Sequence, residues 1–181
     1  MSNLLLAPHS DDESLFASYI ILRYKPLVLV VTDAYKHEEK FGESRGIIVR
    51  RKETEAAMKI LGAEVEFLGI PDNTLYLDNL EVNLEDYPCE GKVFAPAKQG
   101  GNKNHDVVSD AAAKVYRDRV VYYSTYSKND LTPRGKVALI PTPAEEQLKR
   151  EALFCYKTQT ALNPHHFDAV RGKPEYINFQ P

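Results

Sequence analysis

The sequence predicts an α/β fold: a single Rossmann-like three-layer domain, residues 1–181, built on a mostly parallel sheet. Three observations carry this. Short apolar runs alternate along the chain with segments of helical period, the pattern of repeated β-α units. The clearest run, Leu27-Val28-Leu29-Val30-Val31-Thr32, is continuously apolar, as suits a strand covered on both faces. A length of 181 residues fits one hydrophobic core better than two.

The elements follow in order. Leu4-Leu5-Leu6-Ala7 reads as a strand, followed by a polar loop and a helix marked by Leu15, Tyr19 and Leu22. Pro26 opens the second strand. Residues 33–44, charged and containing His37, Lys40 and Gly42, read as a mobile loop before a helix over about 45–61, with Gly62 as its C-cap. Glu64 to Ile70 forms a third strand, and Pro71-Asp72-Asn73 a turn. Residues 74–91 look irregular, with weak strand signals. Lys92 to Pro96 is a short strand, Gln99-Gly100-Gly101-Asn102 a glycine turn, and about 105–117 a helix. Arg119 to Thr125 supplies a fifth strand and Val137 to Ile140 a sixth. Pro143 with Glu145 and Glu146 then starts a helix running to about Lys157.

Composition narrows the function classes. With 43% apolar and 27% charged residues the chain has globular proportions. Its 23 Lys plus Arg against 26 Asp plus Glu give a net charge of -3, which offers no basic field for a nucleic-acid polymer. No apolar run reaches the roughly 20 residues of a bilayer span, and Met1-Ser2-Asn3 lacks a basic signal-peptide start, so a cytoplasmic location is expected. Cys89 and Cys155 stand far apart, outside any thiolate-zinc spacing, and read as small packed residues. His37, His165 and His166 likewise read as exposed or packed.

The chemistry concentrates in three loops at strand ends: Pro8–Glu13, Pro71–Asn73 and Gly100–His105. In Pro8-His9-Ser10-Asp11-Asp12-Glu13, His9 and Asp12 are three residues apart at a turn into a helix and can converge on one cation. Asp11 then points elsewhere. Zinc accepts such mixed nitrogen and oxygen ligands, and His105, at the start of another helix, is the natural third. Asp11 is left free to act as general base. A competing reading needs no metal: Ser10 is an N-cap, Glu13 completes a capping box, and the acids complement the helix dipole. A magnesium site for phosphoryl chemistry is a further alternative, which two imidazoles disfavour.

The stretch Leu5-Leu6-Ala7-Pro8-His9-Ser10-Asp11-Asp12-Glu13 resembles the hallmark Pro-His-Pro-Asp-Asp-Glu of the LmbE-like, or PIG-L-like, N-acetylglucosaminyl deacetylases. Further segments are similar in family order: Val30-Val31-Thr32-Asp33, Arg50-Arg51-Lys52-Glu53 with Ala57 and Leu61-Gly62, Leu68-Gly69-Ile70-Pro71-Asp72, and Gly101-Asn102-Lys103-Asn104-His105. Lys149, Ala152 and Tyr156-Lys157-Thr158-Gln159 resemble the family's closing segment. The resemblance implies a zinc cofactor on His9, Asp12 and His105, Asp11 as base, Arg50 or Arg51 as substrate contacts, and Asp72 as a hydrogen-bonding group near the site. Bland readings stand beside the last three: a solvated arginine and a turn aspartate.

Two departures matter. Asn102 stands where the family carries a histidine, and Asn104 where it carries an aspartate. Asn102 can still donate an amide hydrogen bond to an oxyanion, but it cannot give up a proton. The expected activity is zinc-dependent removal of acetyl from a small-molecule N-acetyl-sugar conjugate, with Asp11 and Asn102 at the reacting centre. The alternative is a weakened family member that acts as a metal-containing sugar-conjugate binding protein.

Overall fold

A computed structural model describes residues 3–33, 43–128 and 130–179, leaving out the side chains of residues 43–45, 178 and 179. The first strand, β1 (Leu4–Ala7), is followed by α1 (Asp12–Phe16), α2 (Ser18–Tyr24), β2 (Leu27–Asp33), α3 (Glu43–Leu61) and β3 (Val65–Pro71). Then come α4 (Leu77–Glu85), β4 (Val93–Pro96), α5 (Lys103–Tyr116), β5 (Val120–Tyr123) and β6 (Val137–Leu139). The chain closes with α6 (Pro143–Leu153), α7 (Lys157–Leu162), α8 (Pro164–Val170) and β7 (Glu175–Phe179).

The strands form one sheet in the order β3-β2-β1-β4-β5-β7-β6. The first five are parallel, and β7 runs antiparallel to both β5 and β6. Because a strand's side chains alternate between faces, each central strand feeds two cores. Leu5, Val28, Val30, Phe94 and Tyr123 pack beneath α1, α2, α3 and α6, while Leu4, Leu6, Leu29, Val31 and Val93 pack against α4 and α5. This is the expected three-layer arrangement. The strand order reverses between β1 and β4, so the crevice at their carboxyl ends is where a doubly wound sheet places a ligand.

Several expectations need correction. The first helix is two, since α1 ends at Phe16 and α2 begins at Ser18 around the backbone break at Ala17. The stretch read as irregular contains α4, whose Leu80 and Leu84 are fully buried; Asn79 closes its first turn with a side-chain bond from Tyr76 N. The helix begun at Pro143 stops at Leu153, and α7, α8 and β7 follow unforeseen. Gly62 caps α3 with φ 68°, a conformation that favours glycine. The expected loop overlaps residues 34–42, which with His37, Lys40 and Gly42 lie outside the described residues; Asp33 already belongs to β2 and Glu43 to α3. Cys89 is buried and Cys155 half-buried, and neither forms a disulfide among the described residues.

Candidate metal centre and active site

The loop after β1 is tied to its neighbours before it presents any side chain. Pro8 O accepts hydrogen bonds from Thr32 N and Thr32 Oγ1 at 3.0 and 2.6 Å, fixing the loop to β2. Asp11 then takes φ 151° and ψ −26°, a backbone region that strains any residue with a Cβ. Its amide donates to Glu13 Oε2 at 3.0 Å, and Glu13 in turn accepts a short hydrogen bond from the Tyr156 hydroxyl. Ser10 is therefore not the N-cap: Asp11 occupies that position without a side-chain cap bond. The Ser10 carbonyl instead accepts from Arg50 Nη2 at 2.6 Å.

This turn sends the two aspartates in different directions. Asp12 Oδ2 lies 2.9 Å from His9 Nδ1 and 3.0 Å from His105 Nε2, and the three donor atoms all lie within 4.8 Å of one another. His105 arrives from α5 with 2% of its side chain exposed. Its Nδ1 faces Thr125 Oγ1 at 3.3 Å, while Thr125 Oγ1 and N both point at Gln99 Oε1, at 3.4 and 2.7 Å. The Thr125 amide requires an acceptor there, so the Thr125 hydroxyl donates to Gln99 and accepts from His105 Nδ1–H. That leaves the Nε2 lone pair aimed at a carboxylate oxygen, with no hydrogen-bond partner of its own. Two acceptors facing each other in a buried site call for a cation between them, and the N, O, N donor set suits zinc.

Asp11 sits beside this cluster without joining it. Its Oδ2 is 3.5 Å from Arg50 Nη2, and burial pushes its carboxyl up to about 7; Arg50 opposes that rise and Asp12 reinforces it. Burial likewise pushes Glu13 up to about 7, against the Tyr156 hydrogen bond. A carboxyl poised near neutrality suits proton transfer.

A cavity of about 210 Å³ opens above the cluster, at the expected crevice. His9, Asp11, Asp12 and Leu15 form its floor, joined by Arg50, Asp72 and Asn102 from neighbouring elements. All three loops singled out in the sequence thus reach it. Asp72 contributes a buried Oδ1 with no partner. Asn102 caps α5, its Oδ1 accepting from Asn104 N at 2.9 Å, and it lines the cavity together with Tyr126. Arg51 is not in the lining: it pairs with Asp33 through Nε at 3.0 Å and stacks over Phe67, 5.0 Å from the ring centroid.

Four further lining residues come from the later part of the chain: Tyr126, Gln159, Asn163 and His166. Gln159 lies in the closing segment of the resemblance, whereas Tyr126 and Asn163 carry no sequence signal. His165 is exposed and His166 half-buried, packed 5.1 Å from Tyr126 between ring centroids, with its pKa lowered by burial. Gly101 locks the two sides together, since a Cβ there would strike the Tyr126 carbonyl.

Comparison with known proteins agrees with this architecture. The family model described as PIG-L: GlcNAc-PI de-N-acetylase matches residues 4–116. Among solved structures, a triple mutant of the Orf2 deacetylase of the teicoplanin biosynthetic pathway is 18% identical with a TM-score of 0.73, over 97% of this chain and 95% of that one. The conserved protein TT1542 from Thermus thermophilus is 22% identical with a TM-score of 0.73, over 94% and 84%. GalB, a 4-carboxy-2-hydroxymuconate hydratase from Pseudomonas putida, is 18% identical with a TM-score of 0.68, over 98% and 95%. A search of curated proteins gives no match. Among the described residues no helix is long and apolar enough to cross a membrane.

Proposed function

We propose, from the premise that the chain belongs to the PIG-L family, that it is a zinc-dependent hydrolase removing the acetyl group from an N-acetylated amino sugar or sugar conjugate. The fold alone does not decide the reaction, because GalB carries a hydratase activity on the same architecture. One observation carries the reading: a buried carboxyl, Asp11, stands beside a His9–Asp12–His105 cluster at a polar cavity without joining it.

His9, Asp12 and His105 are the residues that would hold a zinc ion, which when bound would supply Lewis acidity toward the amide carbonyl and a water. Asp11 takes the proton from the attacking water as its oxygen bonds to the acetyl carbon. It then passes that proton to the departing amine as the C–N bond breaks, giving acetate and the free amino sugar. Arg50 braces this turn by holding the Ser10 carbonyl beside Asp11. Asn102 offers its side-chain amide N–H to the developing oxyanion, and Asp72, with its unpartnered oxygen, accepts from a sugar hydroxyl.

The test is a screen of N-acetylated sugars against zinc-loaded protein, with acetate and deacetylated product followed by mass spectrometry. Turnover that a chelator abolishes and zinc restores supports the reading. Stoichiometric zinc without acetate release from any of them overturns it. Retention of a sugar without turnover would favour the second reading, a metal-containing binding protein, which Asn102 and Asn104 in place of the family's histidine and aspartate make specific.

A further inference from the structure

The two imidazoles of the cluster are not equally ready to bind a metal. Thr125 commits His105 to the useful tautomer, with its proton on Nδ1 and a lone pair on Nε2. His9 is set the other way. Asn104, 5% exposed, places its side-chain nitrogen 3.1 Å from the Asp72 carbonyl and 3.2 Å from His9 Nε2. A carbonyl oxygen only accepts, so the Asn104 atom facing it is the amide nitrogen. The same nitrogen then donates to His9 Nε2, which must present a lone pair. The His9 proton is therefore on Nδ1, where it donates to Asp12 Oδ2 at 2.9 Å. Yet Nδ1 is the His9 nitrogen that faces the cluster. Asn104 Oδ1, meanwhile, is buried with no partner.

We propose that the Asn104 side-chain amide sets the tautomer of His9 and so the strength of metal binding at this site. This rests on the metal reading above. For His9 to ligate through Nδ1, its ring proton must move to Nε2, and Asn104 must turn its amide half-way round to offer Oδ1 to that N–H. The turn gives Oδ1 the partner it lacks but sacrifices the bond to Asp72, whose carbonyl then faces another acceptor. An aspartate at position 104 would likewise lose the bond to the Asp72 carbonyl, but it would accept from His9 Nε2–H without any turn and would add a charge that strengthens His9 as a ligand. Asn104 is thus a positioning residue that weakens the site relative to a carboxylate and makes metal binding depend on a side-chain rearrangement.

Two measurements test this. Imidazole nitrogen and carbon chemical shifts of the metal-free protein, assigned to His9 by their loss in His9→Asn, should show the proton on Nδ1. Zinc affinity by competition with a chromophoric chelator should be about 10-fold or more tighter in Asn104→Asp than in the parent, a gain that general damage to the fold cannot produce. A His9 proton on Nε2 in the metal-free parent overturns the proposal, and decides the matter even if Asn104→Asp does not fold. Equal or weaker zinc binding by a folded Asn104→Asp protein overturns it as well, leaving the metal reading intact. Zinc binding by neither protein overturns both.

Discussion

The helix that carries Asp12 is braced from behind by a buried ion pair, and cutting that pair has a calculable consequence. Lys149 Nζ lies 2.7 Å from Glu175 Oε1, with both side chains 2% exposed, and also donates to Leu15 O at 2.9 Å. Glu175 Oε2 accepts from Tyr19 N at 2.8 Å, so the pair joins α6 and β7 to both α1 and α2. In Lys149→Met the carboxylate stays buried and loses its cation, which costs about 3–5 kcal/mol. That is a large share of a typical stability of about 5–15 kcal/mol, and corresponds to a melting temperature lower by about 10 °C. Glu175→Gln should cost a similar amount by stranding the ammonium. The double variant Lys149→Met with Glu175→Gln should be no worse than either single one, a coupling of about 3 kcal/mol or more. The sign with pH also follows. Burial already raises the Glu175 carboxyl and Lys149 opposes that rise, so without Lys149 it climbs further. The folded variant then binds a proton that the unfolded chain has lost, and its deficit should shrink as pH falls from about 7 towards 5. Urea unfolding of the metal-free proteins at several pH values measures all of this. Additive costs in the double variant, or a deficit independent of pH, would refute the reasoning.

Asp11→Asn should retain zinc and lose about 10²- to 10⁴-fold in rate, whereas Asp12→Asn should lose zinc; metal content alongside turnover separates them. Thr125→Val removes the acceptor that fixes His105 and should weaken zinc binding by about 10- to 100-fold, with Thr125→Ser restoring it; an unchanged affinity in the valine protein would deny Thr125 that role. In the metal-free protein, Asp11 and Glu13 hold their protons up to about pH 7, well above where the unfolded chain releases them, so thermal stability should fall as pH rises from about 4 to 7 and then level off. Calorimetry should show that slope largely removed by saturating zinc, because the cation disfavours protons at both groups.

How much of this was legible depends on how locally each feature is encoded. The core strands were readable because Leu4–Ala7 and Leu27–Thr32 are continuous apolar runs, which only a doubly covered strand explains well. Helix α4 was not, because its apolar positions Leu77, Leu80 and Leu84 are interleaved with Asp78, Asn79 and Asn83, residues of poor helix propensity; packing against α5 overrides propensity there. β7 was missed for a different reason: its pairing with β5 and β6 is antiparallel and distant in sequence, so no neighbouring repeat announces it. The His9, Asp12 and His105 grouping was legible from spacing at strand ends. The partners that fix its tautomers were not, since Thr125, Gln99 and the Asp72 carbonyl come from separate loops.

The burial of the Pro8–Glu13 loop finally separates the capping reading from the metal reading. Glu13 does bond to the Asp11 amide, as a helix-start acid should. But α1 has only five residues, and a helix N-terminus offers at most roughly half a positive charge. Against that stand three consecutive carboxyls, Asp11, Asp12 and Glu13, with Asp12 3% and Glu13 0% exposed. Arg50 supplies one positive charge near Asp11. If all three carboxyls ionise, the loop is left two positive charges short. Without a metal, protons reduce the shortfall: burial first, and the neighbouring carboxylates second, raise Asp11 and Glu13 to about 7. A divalent cation at the lone pair of His105 Nε2 would close it at neutral pH without them. Capping explains one hydrogen bond of this loop; its concentration of buried carboxyls is what favours the proposed metal reading over capping alone.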